Sequence, residues 1–231
     1  MNWTVVVAVS AAALFGPTLS FADTASSPWT GMGGGDIIGR HHSTATQITP
    51  SNVAQLKPAW VFRTGDQSRE APELTKQTSG QATPLLLPPE AGEHLVTCTP
   101  FSRVIALDPG TGVQRWEFDP QAERGGKRGY RCRGVSYWRE PGPDDTKTCH
   151  HRLYIAVHDR RLIALDAKDG KPCADFGEHG TINLSDRGKY KPGEVTSSSP
   201  PAVANGVVVV GSSVVDFEYA EAPRGVVSAF D

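Results

Sequence analysis

Apolar and polar positions alternate along this chain in short runs bounded by Gly, Pro, Asp and Asn. A period of two is that of a strand with one face packed and the other wet. One such run is Arg103-Val-Ile-Ala-Leu-Asp108, followed by Pro-Gly-Thr-Gly112 and Val-Gln-Arg-Trp116. It recurs as Arg161-Leu-Ile-Ala-Leu-Asp166, followed by Ala-Lys-Asp-Gly170, and as Val226-Val-Ser-Ala-Phe-Asp231. The three aspartates lie 58 and 65 residues apart. Another strand is predicted before each copy, over His94–Thr99, Arg152–Val157 and Val207–Ser212. The last follows Asn205-Gly206, a strong hairpin dipeptide. The Asp and Gly of each copy flank a tight turn, where Asp accepts backbone N–H groups and Gly takes positive φ. Trp116 opens the next strand and can pack between sheets. Each unit therefore reads as an antiparallel meander of about four strands, the size of a propeller blade, with little helix. A blade cannot bury both faces alone, so neighbouring units should stack.

Composition agrees. The 24 Gly and 18 Pro in 231 residues suit many turns and short strands. A formal net charge of -2 gives no basic surplus for nucleic acid and no acidic tail. Met1–Ala22 carries no charged side chain, and Ser20-Phe21-Ala22 sets small residues at the −3 and −1 positions of a cleavage site. We read residues 1–22 as a secretory signal peptide or, alternatively, an N-terminal membrane anchor. Both place residues 23–231 outside the cytoplasm. The four cysteines, Cys98, Cys132, Cys149 and Cys173, form no C-x-x-C pair. One or two disulfides, or buried free thiols, fit equally. Polar loops over Asp119–Arg131, Glu140–Thr148 and Phe176–Glu194 are the kind that carry sites.

The segment Ala106-Leu-Asp-Pro-Gly-Thr-Gly-Val-Gln-Arg-Trp116 is similar to the tryptophan docking motif of quinoprotein alcohol dehydrogenases. The resemblance runs from about Trp29 to Asp231. Gln47–Trp60 with Arg63-Thr-Gly-Asp66 resembles the family's first strand, and Gln81-Ala-Thr-Pro-Leu85 the opening of its first blade. Cys98–Asp108, Cys132-Arg-Gly-Val-Ser-Tyr-Trp138 and Asp175-Phe-Gly-Glu-His-Gly180 resemble the branch of membrane glucose and quinate dehydrogenases. The resemblance implies an all-β, eight-bladed propeller holding pyrroloquinoline quinone (PQQ) and a divalent metal, calcium or magnesium, at its centre. Only the first few blades are present here. The third repeat stops at its Asp, so the sequence reads as a propeller truncated at its C-terminus. The catalytic base, further metal ligands and a stacking Trp are then expected after Asp231.

PQQ is an anionic tricarboxylate, and its pocket needs cations and hydroxyls. The resemblance assigns cofactor contacts to Gln81, Arg133, Ser198 and Ser213, and metal ligation to Asp216, with Glu218 as the nearest rival. Guanidinium suits a two-pronged carboxylate contact, and a carboxylate suits a hard divalent cation. Two departures stand out. Many methanol-type members have adjacent cysteines before the arginine segment, whereas here Arg131 precedes Cys132. Where glucose dehydrogenase relatives often carry a histidine, this chain reads Lys127-Arg-Gly-Tyr130. Tyr130 and Arg131 are thus candidates to cover that face of the cofactor. His41-His42 and His150-His151 are read as structural, because neighbours in a strand point to opposite faces. Gly31-Met-Gly-Gly-Gly35 follows no strand and is not a dinucleotide fingerprint.

The expected activity is oxidation of an alcohol, polyol or sugar hydroxyl in the periplasm. Electrons would pass to a quinone or cytochrome acceptor, with membrane association a further expectation. The competing reading is a non-catalytic propeller scaffold, which should share the Asp-to-Gly turn but lack the Arg-Gly-Val-Ser-Tyr-Trp segment.

Overall fold

The structure is a computed structural model that describes residues 29–31, 41, 43, 45–125, 129–185, 191, 193–215, 220 and 223–231. Residues 1–22, Asp216 and Glu218 lie outside this set. Two one-turn helices, α1 (Asp66–Arg69) and α2 (Pro72–Thr75), precede a succession of strands. No helix among the described residues is long and apolar enough to cross a membrane.

Strand β1 (Thr78–Gly80) leads into the first meander, which comprises β2 (Leu85–Leu86), β3 (Leu95–Cys98), β4 (Val104–Leu107) and β5 (Gln114–Phe118). After β6 (Tyr130–Cys132) comes the second, with β7 (Ser136–Arg139), β8 (His151–Ala156), β9 (Arg161–Asp166) and β10 (Thr181–Asn183). Both pair each strand with the next in antiparallel order. Strand β11 (Val195–Thr196) precedes the third unit, where β12 (Ala202–Ala204), β13 (Val207–Gly211) and β15 (Val227–Phe230) form one sheet. Between the last two, β14 (Ser213–Val214) pairs with β11.

Burial follows the stacking. Leu153, Ile155, Ile163 and Leu165 on one face of the second sheet share a core with Leu85, Val96, Val104 and Ala106 of the first. On the opposite face, Tyr154, Ala156, Leu162 and Ala164 share a core with Val208 and Val210 of the third. Strand β8 is therefore buried at every position. Strand β15 alternates, and Val227 is 75% exposed. The same kind of strand thus shows continuous or alternating burial according to whether two sheets or one flank it among the described residues.

The repeated turn explains the stacking. Asp108 Oδ1 accepts from the Thr111 N–H and hydroxyl, both at 2.8 Å, and from the Gly110 N–H at 3.1 Å. The Thr111 hydroxyl and Arg115 hold its carboxyl down at about 2. At the end of the turn, Gly112 has φ +72°, and a Cβ there would sit 2.5 Å from the Trp60 ring. Gly170 repeats this with φ +74° and the ring of Trp116 at 2.4 Å. Each indole thus lies flat on the glycine of the following sheet's turn, a close approach that only a missing side chain allows. The Trp60 Nε1–H also donates to the Pro109 carbonyl at 3.1 Å.

Both cysteine pairs are closed, Cys98 with Cys132 and Cys149 with Cys173. This removes the free-thiol alternative. The first joins β3 to β6, and the second joins the residues just before β8 to the segment after β9.

Candidate functional site

The segments opening the three sheets run side by side. Gly80 pairs with Cys132 where β1 and β6 lie parallel. The Thr83 N–H donates to the Arg133 carbonyl at 3.0 Å, and the Arg133 N–H to the Ser198 carbonyl at 2.8 Å. The Ser136 hydroxyl donates to the Pro201 carbonyl. Gly134, at φ +147°, sits where a Cβ would be 3.4 Å from both the Thr83 carbonyl and the Pro200 ring. The Arg-Gly pair therefore lets three backbones converge while projecting one long cation beside them.

Beside this junction lies a cavity of about 240 Å³. The opening segments give it Arg133 and Ser198, while β11 and the start of β14 give it Val195, Thr196, Ser197 and Ser213. The loop before β6 contributes Glu123, Gly125 and Gly129, and β6 itself Tyr130 and Arg131. The β8–β9 turn contributes His158, Asp159 and Arg160, and the loop after β10 adds Ser185, Lys191 and Gly193. Three of the sequence candidates, Arg133, Ser198 and Ser213, are thus brought to one cavity. Gln81 is not among its lining residues; its exposed side chain donates to the Ser79 hydroxyl at 3.0 Å. Asp216, the candidate metal ligand, and Glu218 lie outside the described residues, just beyond β14.

The cavity wall is electropositive. Arg131, Arg133, Arg160 and Lys191 line it with two carboxylates, Glu123 and Asp159, though Arg160 is buried and its Nη2 donates to the Leu184 carbonyl at 2.7 Å. Asp159 is committed elsewhere: Arg161 Nη2 donates to it at 2.6 Å, and it also accepts the Glu123 N–H at 3.1 Å. His158 adds no charge near neutral pH, because burial lowers its pKa despite its bond to the Glu123 carbonyl. The Arg133 guanidinium is held by Nη1–H donation to the Ser198 hydroxyl at 2.7 Å. Tyr130 is buried, with its ring 5.0 Å from Phe101 and 5.2 Å from His158. A wall of cations and hydroxyls with two carboxylates, one of them committed, suits a polyanionic guest.

Arg131 and Tyr130, candidates to cover the cofactor, both line this space. Lys191, Arg160, His158 and Asp159 were not singled out from the sequence. Lys191 lies within a loop whose polar composition marked it as site-bearing, and it is positioned by its N–H bond to the Glu194 carboxylate at 2.9 Å. The β8–β9 turn gave no such signal, since His-Asp-Arg in a tight turn is ordinary surface sequence.

Residues 29–231 match the family described as "PQQ: Glucose/ethanol/alcohol dehydrogenase, beta-propeller domain". The chain belongs to this family. It is 33% identical to quinoprotein glucose dehydrogenase A of Acinetobacter calcoaceticus, over 90% of this chain and 27% of that protein. To the glycerol dehydrogenase large subunit of Gluconobacter thailandicus it is 35% identical, over 91% of this chain and 28% of the relative. With quinate/shikimate dehydrogenase (quinone) of Acinetobacter baylyi the identity is 34%, over 86% and 26%. The crystal structure of quinohemoprotein alcohol dehydrogenase from Comamonas testosteroni superposes with a TM-score of 0.66 at 26% identity, covering 91% of this chain and 26% of that one. The chain therefore spans about a quarter of the relatives it matches, and its three sheets are blades of a β-propeller.

Proposed function

We propose that this chain forms part of a PQQ-dependent dehydrogenase that oxidises an alcohol, polyol or sugar hydroxyl, and that its cavity is one wall of the cofactor pocket. The observation that carries this reading is the convergence of Arg131, Arg133, Lys191, Ser198 and Ser213 on one space beside the blade junction. When bound, PQQ supplies an electrophilic quinone that takes up the substrate's hydrogen. The chain's own residues bind and orient it. Arg131, Arg133 and Lys191 neutralise carboxylates. Ser198 holds the Arg133 guanidinium in place and, with Ser213, offers hydroxyls. Gln81 flanks the junction from the first blade. Asp216, with Glu218 as its rival, offers an oxygen to calcium or magnesium, which a hard cation prefers. A non-catalytic scaffold has no need of such a concentration of cations.

The secretory reading of residues 1–22 supports a periplasmic location, and the alternative anchor reading supports contact with the membrane; a quinone or cytochrome is the proposed electron acceptor.

The test is reconstitution of the metal-stripped full-length gene product with PQQ across a calcium titration, followed by dye-linked oxidation of a panel of sugars, polyols and alcohols. Saturable PQQ binding and hydroxyl-dependent dye reduction are expected. Asp216→Asn should shift activity to higher calcium. Absence of PQQ binding would overturn the proposal, and unchanged calcium dependence in Asp216→Asn would transfer the metal role to Glu218.

A further inference from the structure

A second group of chemistry-bearing side chains lies in and beside the connection between β7 and β8, and none of its members lines the cavity. Adjacent histidines were expected to diverge, but His150 and His151 converge. His150 precedes strand β8, and Cys149 before it turns the chain with φ +60°. The Cys149 N–H is fixed to Asp166 Oδ2 at 2.6 Å. The two imidazole rings consequently meet at 5.3 Å between centroids and 75° between planes. His151 Nε2 lies 3.0 Å from Asp145 Oδ1, and His150 Nε2 lies 3.5 Å from the same oxygen. One ligand atom from each of the three residues lies within 4.8 Å of the other two.

The decisive detail is His150. Its side chain is 3% exposed, and its Nε2 has no hydrogen-bond partner among the described residues. A buried ring nitrogen that makes no hydrogen bond, with only a carboxylate oxygen 3.5 Å away, is unfavourable unless something else satisfies it. We propose that Asp145, His150 and His151 form a binding site for a divalent transition-metal ion of the zinc class. Zinc holds imidazole nitrogen and carboxylate oxygen at about 2.0–2.2 Å, which spaces tetrahedral ligand atoms by about 3.3–3.6 Å. The two separations from Asp145 Oδ1 are already near that spacing.

The surroundings have the form of an outer shell. The Tyr137 hydroxyl lies 2.7 Å from His151 Nδ1, which leaves Nε2 to face Asp145. Glu140 Oε2 lies 3.8 Å from His150 Nδ1, on the far side of that ring. Two cations also face the group. Arg139 Nε donates to Asp145 Oδ1 at 2.8 Å, and the Lys168 ammonium donates to the Asp145 main-chain carbonyl. A carboxylate has about four lone-pair sites, so Asp145 can serve Arg139 and an ion together. Two imidazoles select zinc-class ions over calcium and magnesium, which want oxygen. The site would pin the loop to the start of β8, and it does not depend on the cofactor reading.

The experiment is equilibrium dialysis of the full-length gene product against micromolar free Zn²⁺ in excess calcium, with bound zinc counted by elemental analysis. Substitution with Co²⁺ should give the visible absorption of a nitrogen- and oxygen-ligated ion. The wild-type protein should hold one equivalent that His150→Gln loses or binds at least about tenfold more weakly. Arg139 is 41% exposed at its side chain, so Arg139→Gln should fold even if His150→Gln does not. It should tighten zinc several-fold by removing a cation from Asp145. A wild-type protein that binds no zinc overturns the proposal. So does zinc binding that is the same in His150→Gln as in wild type, or unaltered in Arg139→Gln.

Discussion

Arg133 and Ser198 are joined twice. The main-chain N–H of Arg133 donates to the Ser198 carbonyl at 2.8 Å, and its guanidinium donates to the Ser198 hydroxyl at 2.7 Å. The first bond joins the segments that open the second and third sheets; the second fixes where the cation points. Two residues 65 positions apart in sequence thus become one hydrogen-bonded unit.

Arg133→Ala should weaken PQQ binding by on the order of 1.5–3 kcal/mol, the scale of a charge-assisted bond in a partly buried site. Ser198→Ala leaves the charge but frees the guanidinium, so its effect should be smaller. The double variant should lose less than the two single losses combined, because both act on one contact. Titration of each apo-protein with PQQ checks this. Strict additivity would mean that Ser198 does not position Arg133.

Gly170 and Gly206 share positive φ, +74° and +81°, but differ in surroundings. A Cβ at Gly170 would meet the Trp116 ring at 2.4 Å, whereas at Gly206 nothing lies within 4 Å. Gly206→Ala should cost only the left-handed backbone penalty, about 1–2 kcal/mol. Gly170→Ala should cost that and overpacking of about 1–3 kcal/mol besides, because the indole must leave the blade interface. Thermal melts of the two variants in the full-length gene product measure the difference, and equal losses would mean that Trp116 docking contributes little.

These contrasts also show what was legible in the sequence. Asp108–Gly112 and Asp166–Gly170 disclosed the turns because a stacked repeat needs the same φ and the same side-chain acceptor each time. Strands β3, β8 and β13 fall within a residue or two of the alternating runs that predicted them. The Trp116 contact was foreseen only as packing between sheets. Its partner, Gly170, emerges from stacking, since nothing local links residues 54 positions apart. Which cysteines pair was likewise fixed by how the blades stack, not by spacing.

The cavity was legible in part, for the same reason. Arg133, Ser198 and Ser213 stood out through motifs, but Lys191, Arg160 and His158 reach it only because loops from two blades fold over one junction. Gln81 occupies the expected strand opening, yet its side chain turns to Ser79. The convergence of His150 and His151 was not foreseen because the period-two rule applies only inside a strand, and His150 stands one residue before it.

His158 gives a pH prediction. Burial, aided by Arg124 and Arg161, holds its folded pKa below the ordinary value. The unfolded chain protonates it near about 6.5. Between that pH and the lower folded value the unfolded state binds more protons, so stability falls as pH falls. His151 is depressed by burial and contributes with the same sign. In His158→Gln the loss of stability between pH 7.5 and 5.5 should be smaller than in wild type, though not abolished. Denaturant midpoints at the two pH values check it, and an unchanged slope would mean that the imidazole is solvated in the folded protein.

Arg103 is 2% exposed, and it ties the chain before the first blade to that blade. Its guanidinium donates to Glu117 at 2.7 Å, to the Thr64 carbonyl at 2.7 Å and to Asp66. Burial alone would raise Glu117, but Arg103 and Arg69 more than offset this and hold its carboxyl below the usual range. Arg103→Met keeps an unbranched stem of similar reach but strands the shielded carboxylate of Asp66 and leaves Glu117 to Arg69 alone; the two carboxylates are 12% and 14% exposed. Breaking one partner of such a group costs about 3–5 kcal/mol. Adding Asp66→Asn and Glu117→Gln to Arg103→Met should recover much of that loss, because the penalty lies in the uncompensated charge rather than in the missing bonds. Chemical denaturation of the single and triple variants separates the two accounts. If the triple variant is no more stable than the single one, the network holds this segment through geometry and not through charge balance.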